Sequence, residues 1–557
     1  MKTKYIFVTG GVISGVGKGI ATASIGKLLI SRGFSVTAMK IDPYVNVDAG
    51  TMNPTEHGEV FVLDDGTECD QDMGNYERFL DRNLSTTNYM TTGSIYLEVI
   101  QKERRMEYKG KCVEVVPQVP MAIIEKINQA VKEAKADFVT IEIGGTVGEY
   151  QNILFLEAVR MLKYKKPADV LLVLVSLLPT LPGGGNEIKS KPTQYAVRTL
   201  NAAGLQPDII IGRAPIPLDD KRKQTISLNS NIDIKDIISA PNVSDIHEIP
   251  LNFEKDDLSN RILKKLHTRP RKRDMSQWEK LVKNTQEAKK TVKIGIVGKY
   301  FGSGSFVLTD SYISVLEAVR HAAIAGRVKA EIEWLDSSEL ENNPAALKNL
   351  SKFNGLIVPG GFGSRGVEGK ILAIKYAREH KIPFLGLCYG LQLATIEFAR
   401  NVADLKNANT TENNPKTPHP VIHIMPEQEK KMLESDYGGT MRLGAYPCKL
   451  TENTKASKAY SLQTTDYSKK TVDRSPKSVD LVSERHRHRY EFNNKYRKIL
   501  EKKGLVIAGT SPDNLLVEII ELKNHPFFVG TQFHPEFQSR PLSPHPLFLE
   551  FIKAALK

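Results

Sequence analysis

The chain has 557 residues, 41% hydrophobic and 25% charged, with 40 glycines, 29 prolines and four cysteines. That length exceeds one compact core and that balance excludes a disordered or fibrous chain, so two or more globular domains are expected. The formal net charge of +13 invites phosphate-bearing partners. Lys and Arg are nevertheless spread along both halves among acids, which favours small phosphorylated molecules and assigns no nucleic acid. Cys69, Cys112, Cys388 and Cys448 form no C-x-x-C pair, so neither a zinc site nor a disulfide framework is suggested. The opening MKTKYIFVTGG carries no apolar leader, and the longest apolar run, ADVLLVLVSLLP, is far short of the roughly 20 residues of a membrane helix. A cytoplasmic protein without membrane contact is expected.

In chain order, KYIFVTGG leads into a glycine loop and the helical pattern ATASIGKLLISRG, followed by the apolar strands FSVTAMKID, ADFVTIEIGG, ADVLLVLVSL and PDIIIGRA. Continuous apolar strands alternating with helices predict a parallel sheet covered on both faces, within an α/β domain over residues 1–270. The proline- and charge-rich stretch at 271–292 reads as a linker. A second α/β domain over 293–557 repeats the grammar with FNGLIVPGGFG, IPFLGLCYG and PFFVGTQFHPE, and the polar excursion at 455–480 reads as a mobile surface loop.

The loop GGVISGVGKG follows the first strand and opens the first helix, an arrangement whose backbone N–H groups cradle phosphates while Lys18 reaches a transferred phosphoryl group. It is not a strict Walker A. The spacing is one residue long and Gly19 stands where a metal-binding hydroxyl is usual, so carboxylates elsewhere must hold a metal. Asp72 and Glu142 are the candidates, the plainer alternative being surface acids. Lys40 in MKIDPY is a second candidate cation.

In IPFLGLCYGLQLATIEFA, Cys388 sits on a sharp strand-to-helix turn flanked by Gly386 and Gly390, and a helix N-terminus favours a thiolate, the reactive form. A thiolate nucleophile needs a base, for which GTQFHPEF offers His534 with Glu536 to orient it. An oxyanion needs donors, for which the backbone amides of Gly360 and Gly361 are available.

Together PGGFG, G-L-C-Y-G-L-Q and F-H-P-E resemble the class I (triad) glutamine amidotransferases. That resemblance implies Cys388 as nucleophile, His534 as base and Glu536 as its partner, with Gly361 and Tyr389, Gly390, Leu391 and Gln392 lining a glutamine site. The runs YIFVTGGVISGVGKG, MKIDPYVNVDAGTMNPTEHGEVFV, YERFL, KERR, IEIGGTVG, KSKPTQ, GSRGVEGK, GGTMRLG and ERHRHRYE extend the likeness along nearly the whole chain to the CTP synthases.

This resemblance implies a P-loop-type, Rossmann-like parallel-sheet synthetase domain joined to a class I amidotransferase domain. The implied reaction is amination of UTP to CTP, using ATP and ammonia from L-glutamine channelled between the sites. It further implies Ser14, Gly15, Val16, Gly17, Lys18, Gly19, Ile20, Lys40, Arg213 and Val243 at ATP, and Asp72 and Glu142 at Mg²⁺. Ser14, Glu149, Tyr150, Gln151, Lys189, Lys191 and Gln194 fall at UTP or the feedback inhibitor CTP. Glu412 and Arg489 fall at glutamine, Pro54, His57 and Val60 at the ammonia gate, and Arg365 and Glu368 at the activator GTP. A homotetramer, with filaments, is the implied assembly.

The chain departs from the family pattern at Glu149–Gln151, where D-I-E is common, at Thr225, where a lysine is expected and Lys221 and Lys223 lie close by, and at Lys109 and Gln118 in the lid that responds to GTP. Two rival readings stay open on the residues alone: an amidotransferase of the same build with another acceptor, and a non-catalytic assembly protein. KSKPTQ argues against the first and the intact Cys388, His534 and Glu536 set against the second.

Overall fold

The computed structural model describes residues 2–180, 187–298, 302–303, 306–307, 309–361, 363, 365–425, 428, 439–463 and 480–557. The chain forms two compact units, Met1–Ala49 with Asp72–Val282, and Gly50–Gln71 with Lys283–Lys557. Residues 50–71, read from sequence as part of the first domain, therefore pack with the second unit.

In the first unit seven strands form one parallel sheet, in the order Tyr89–Thr91, Val36–Asp42, Phe138–Ile143, Lys4–Gly10, Val170–Leu177, Ile209–Ala214 and Ile237–Pro241. Lys4–Gly10, Val36–Asp42 and Phe138–Ile143 are buried at every position, which is why they read as mainly apolar rather than as alternating, with buried Lys40, Asp42 and Glu142 near their carboxyl ends. Lys4–Gly10 has a later strand on each side, so the loop that follows it opens at the carboxyl edge where strand order diverges, the usual ligand crevice of such sheets.

The second unit holds a nine-stranded sheet. Val328–Asp336, Lys290–Gly298, Gly355–Val358, Phe384–Leu387 and Phe528–Thr531 are parallel neighbours. Val517–Leu522, Leu505–Thr510, Arg442–Leu450 and Leu481–His488 then extend the sheet with antiparallel pairings.

Two segments carry more order than the sequence suggests. The 271–292 linker contains the helix Ser276–Glu287, and Trp278, Leu281 and Val282 are buried along one face of it. Trp278 Nε1 donates to the His247 carbonyl at 2.8 Å, its ring meets Phe79, and Lys27 Nζ lies 4.7 Å from it, so an apolar stripe docks the first part of the linker. The 455–480 excursion begins with the helix Lys455–Gln463, held by buried Ala456, Ala459 and Tyr460 and by Glu521, which accepts from the Lys455 and Ala456 amides. Residues 464–479 of that excursion lie outside the described residues, as do 181–186 ahead of the KSKPTQ run.

Candidate active sites

Cys388 links the strand Phe384–Leu387 to the helix Tyr389–Asn401 and adopts φ 51°, ψ −97°. A non-glycine residue held there stores on the order of 1–3 kcal/mol, which the surrounding packing must outweigh. That packing is backbone on backbone: a Cβ at Gly390 would lie 2.1 Å from the Val358 carbonyl oxygen, so the turn closes only over glycine. The Cys388 N–H donates to the Thr531 carbonyl at 2.6 Å, tying the elbow to the neighbouring strand.

His534 follows that strand. Its Nδ1 is 2.7 Å from Glu536 Oε1, while Nε2 is buried and makes no hydrogen bond among the described residues. Burial opposes a charged ring here, but the Glu536 carboxylate and the Cys388 sulfur outweigh it and His534 is pushed up to about 10. The Glu536 carboxylate thus favours the protonated ring, whose Nε2 lies on the side away from Glu536. Gly360 completes the cluster, since a Cβ there would lie 3.0 Å from His534 Cε1 and 3.8 Å from Cys388 Cβ. The structure therefore brings together Cys388, His534, Glu536 and Gly360, all named from sequence.

The residues expected at glutamine make further contacts in the same unit. Tyr389 Oη donates to the Gly363 carbonyl at 3.3 Å and accepts from Asn413 Nδ2 at 2.8 Å, and Glu412 Oε1 accepts from the Gly363 amide at 2.8 Å. Arg489 donates to Gln428 Oε1 at 2.7 Å. Gln392 Nε2 donates to the Tyr490 carbonyl at 2.8 Å and lies 3.4 Å from Gln532 Oε1, and Gln532 Nε2 in turn points at Cys388 Sγ from 3.6 Å.

Gln532 escaped the sequence reading. Its one signal was a place two residues before His534 on the same strand end. Gln532→Leu is expected to slow glutamine hydrolysis about tenfold by removing that donor from the sulfur, with ammonia-dependent synthesis unchanged, in steady-state assays.

Glu491, on the strand Tyr490–Phe492, is 7% exposed. Burial pushes its carboxyl up to about 7, against the pull of Arg442 and with the help of Glu518. A raised carboxyl contributes stability that is complete below its ordinary value and is lost as pH rises through the folded one. Glu491→Gln should therefore raise the unfolding free energy by about 2 kcal/mol near pH 8 and leave it unchanged near pH 4, as read by denaturant melts.

The charge-dense run ERHRHRYE does not form a surface patch, because Glu484, Arg485, His486 and His488 are all at most 2% exposed. Burial holds His486 and His488 well below the ordinary histidine range.

In the first unit, Gly15 and Gly17 take positive φ in the loop and Lys18 opens the helix Lys18–Ser31. Arg213, ending Ile209–Ala214, reaches the same loop, its Nη1 3.5 Å from the Val16 carbonyl, and Asn242, next to Val243, is bonded to Ala214. Lys40 Nζ lies 2.5 Å from Asp72 Oδ2, 3.1 Å from Glu142 Oε1 and 3.5 Å from Asp42 Oδ1. Tyr76 donates to Glu142 Oε2.

Burial lowers Lys18 against the pull of Glu142. It raises Glu142, with Asp72 adding to the effect. At Asp72 burial is outweighed by Lys40 and the carboxyl stays below the usual range. The absent side chain at 19 is explained here: a Cβ on Gly19 would lie 2.0 Å from Asp72 Oδ1, so Asp72 occupies the space a serine or threonine would fill. Asp42 and Tyr76 belong to this cluster and were not foreseen, since an aspartate ending a strand and a tyrosine in a helix carry no signal of their own.

Other predicted residues are dispersed. Glu149 accepts from Thr146 Oγ1 at 2.5 Å, Tyr150 is 91% exposed, and Gln151 is exposed beside it. Lys189 pairs with Glu187 at 2.8 Å, Lys191 starts the helix Lys191–Ala202, and Gln194 donates to Ser190 Oγ. Glu368 pairs with Arg400 at 2.8 Å, Arg365 is exposed, and Lys223, offered as a substitute at Thr225, pairs with Asp256 at 2.7 Å. Lys109 takes φ 55° in an exposed turn, and Gln118 caps Glu114. Pro54 and His57 bound a short helix and Val60 opens the strand Val60–Val62, all in the second unit.

Comparison with known proteins gives the family. Residues 4–268 match the family model "CTP synthase N-terminus" and residues 307–554 match "Glutamine amidotransferase class-I". The CTP synthase of Carboxydothermus hydrogenoformans is 52% identical over 556 residues, covering 100% of this chain and 99% of that one. That of Geobacillus kaustophilus is 48% identical over 557 residues, covering 100% of both. Among solved structures, the acivicin-bound glutaminase domain of Trypanosoma brucei CTPS is 38% identical, covers 48% of this chain and 94% of that one, and aligns with a TM-score of 0.42. Likeness of this extent along the entire length leaves one assignment: the chain belongs to the CTP synthase family.

Proposed function

We propose that the protein aminates UTP to CTP with ATP and glutamine, as a ligase of pyrimidine nucleotide synthesis, and that the residues above divide the work as follows. Cys388 thiolate attacks the carboxamide carbon of glutamine, the amides of Gly360 and Gly361 receive the oxyanion, and His534 passes its proton to the departing ammonia while Glu536 holds the ring. The γ-glutamyl thioester that remains is hydrolysed by water to glutamate. Glu412 and Arg489, with Gly361, Tyr389, Gly390, Leu391 and Gln392, hold the amino-acid end of glutamine. The observation that carries this reading is the His534 ring, bonded to Glu536 at 2.7 Å with its other nitrogen unpaired beside a strained cysteine.

In the synthetase unit the ATP γ-phosphoryl group is transferred to uracil O4, and ammonia then attacks C4 and displaces phosphate. Ser14 to Ile20 cradle ATP, Arg213 and Val243 face its base, and Lys18 and Lys40 neutralise charge on the phosphoryl group. Asp72 and Glu142 form an all-oxygen donor set of the kind that suits Mg²⁺, and the room left by Gly19 fits Asp72 to that task. When bound, the metal would offset charge on the phosphate oxygens. Glu149, Tyr150, Gln151, Lys189, Lys191 and Gln194 receive UTP or CTP.

Ammonia protonated by bulk water is no longer a nucleophile, so Pro54, His57 and Val60 are assigned to a gate that protects it. GTP activation through Arg365 and Glu368, feedback by CTP, a homotetramer and a cytoplasmic site of action complete the reading. It is tested by UTP-dependent CTP formation with glutamine or ammonia, with and without GTP and CTP. Formation from both nitrogen sources is expected; a folded enzyme that needs no UTP overturns it.

A further inference from the structure

The hairpin of Val60–Val62 and Glu68–Asp70 pairs antiparallel, and its tip is seated on the strand Arg442–Leu450, where the Ala445 amide donates to the Asp64 carbonyl at 2.8 Å. A Cβ at Gly444 would lie 2.7 Å from that same carbonyl oxygen, so the two backbones touch directly. From this seat the hairpin reaches the catalytic cluster by three routes.

Arg485 Nε donates to Asp64 Oδ1 at 2.6 Å and its Nη1 to the Val62 carbonyl at 3.1 Å, while the Arg485 carbonyl accepts the His534 amide at 2.8 Å. Arg487 Nε donates to Glu68 Oε1 at 2.7 Å, and its carbonyl lies 3.8 Å from Cys388 Sγ. Phe61 meets Phe537 edge-on at 4.9 Å, and Phe537 stacks on the His534 ring at 5.0 Å and 14°.

The alternation of the strand Leu481–His488 explains why one segment serves both ends. Side chains at 485 and 487 face the hairpin, while the main chain of the same residues borders the nucleophile and the base. The Arg485 side chain is fully buried, so its charge fixes the strand to whatever carboxylate neutralises it.

We propose that the hairpin is the positioning support of the glutaminase centre. Arg485 and Arg487 act as positioning residues that set the distance between Cys388 and His534 according to where the hairpin lies. The proposal rests on the reading of Cys388, His534 and Glu536 as that centre. Displacing a nucleophile and base by about 1 Å costs on the order of a hundredfold in rate, so a small hairpin movement suffices to throttle glutamine hydrolysis.

The test uses Asp64→Asn and Glu68→Gln in the full-length enzyme, neither residue touching Cys388, His534 or Glu536. The expected result is a fall of about tenfold or more in kcat for glutamine hydrolysis, with KM for glutamine and ammonia-dependent CTP formation each within about twofold. Glu68→Gln combined with Arg487→Met should lose no more than Arg487→Met alone. The Asp64 side chain is 36% exposed, so its amide keeps the fold even if burial of Glu68 makes the second variant unstable.

Parent-like hydrolysis in Asp64→Asn overturns the proposal. So does a parallel loss of glutamine- and ammonia-dependent synthesis, which marks a merely structural role. Undiminished glutamine hydrolysis by Cys388→Ala would instead overturn the underlying reading of the centre.

Discussion

Cys388→Ala is expected to lose glutamine-dependent CTP formation by about a thousandfold or more and to keep ammonia-dependent formation within about twofold. In the proposed mechanism the sulfur is the atom that bonds to the substrate carbon, and the other groups at the centre are an imidazole, a carboxylate and backbone amides, none of which can form the thioester. The variant should fold, because alanine removes one buried atom from an elbow whose closure depends on Gly386 and Gly390 rather than on the side chain at 388. A stability loss of about 1 kcal/mol or less is expected. Parallel assays of the purified variant with saturating glutamine and with ammonium salt read both activities. Loss of the ammonia reaction in a folded variant would show that the two chemistries are not separable; retention of the glutamine reaction would show that Cys388 is not the nucleophile.

Gly19→Ala should do the reverse, abolishing synthesis from either nitrogen source. The added Cβ would meet Asp72 at 2.0 Å from Oδ1 and 2.5 Å from Cγ, distances that no rotation of a methyl group relieves. Asp72 cannot swing aside without losing Lys40 at 2.5 Å and the Asn75 contact at 3.4 Å, and it begins the helix Asp72–Leu80, which packs on Lys18–Ser31. The strain falls on the proposed metal ligand and on the first turn behind the phosphate loop. A fall of at least about a hundredfold in kcat/KM for ammonia-dependent CTP formation is expected, with glutamine hydrolysis measured alone much less affected. Parent-like synthesis by a folded Gly19→Ala enzyme would remove Asp72 from the phosphoryl-transfer site.

The grouping of Cys388, His534 and Glu536 was legible because the chemistry proposed for them constrains local sequence. A cysteine on a strained elbow needs small neighbours, and a base with its orienting acid fits within His534 to Glu536. The first unit's parallel sheet was legible because strands buried on both faces are mainly apolar. Gln532, Tyr76 and Asp42 were not legible, since each is an ordinary residue whose part follows from what lies opposite it. The helix within 271–292 was not legible for a related reason: charge and proline dominate the segment, yet the three apolar residues Trp278, Leu281 and Val282 decide its docking. The same holds for 455–480, where Ala456, Ala459 and Tyr460 order the first nine residues as a helix.

By itself the sequence determined the α/β class and the family, and it named the cysteine, histidine and glutamate proposed as nucleophile, base and acid and the loop proposed to hold phosphate. These rest on short-range patterns, in which backbone strain, strand burial and phosphate binding each demand particular residue types at neighbouring positions. Only the tertiary structure decided that Gly19 makes room for Asp72, that Lys40 binds three carboxylates, and that residues 50–71 pack with the glutaminase unit. It also decided that Arg485 and Arg487 turn their side chains to that segment and their carbonyls to His534 and Cys388. Such facts join residues dozens to hundreds of positions apart, and burial and charge pairing between distant segments are settled only when the chain has closed on itself.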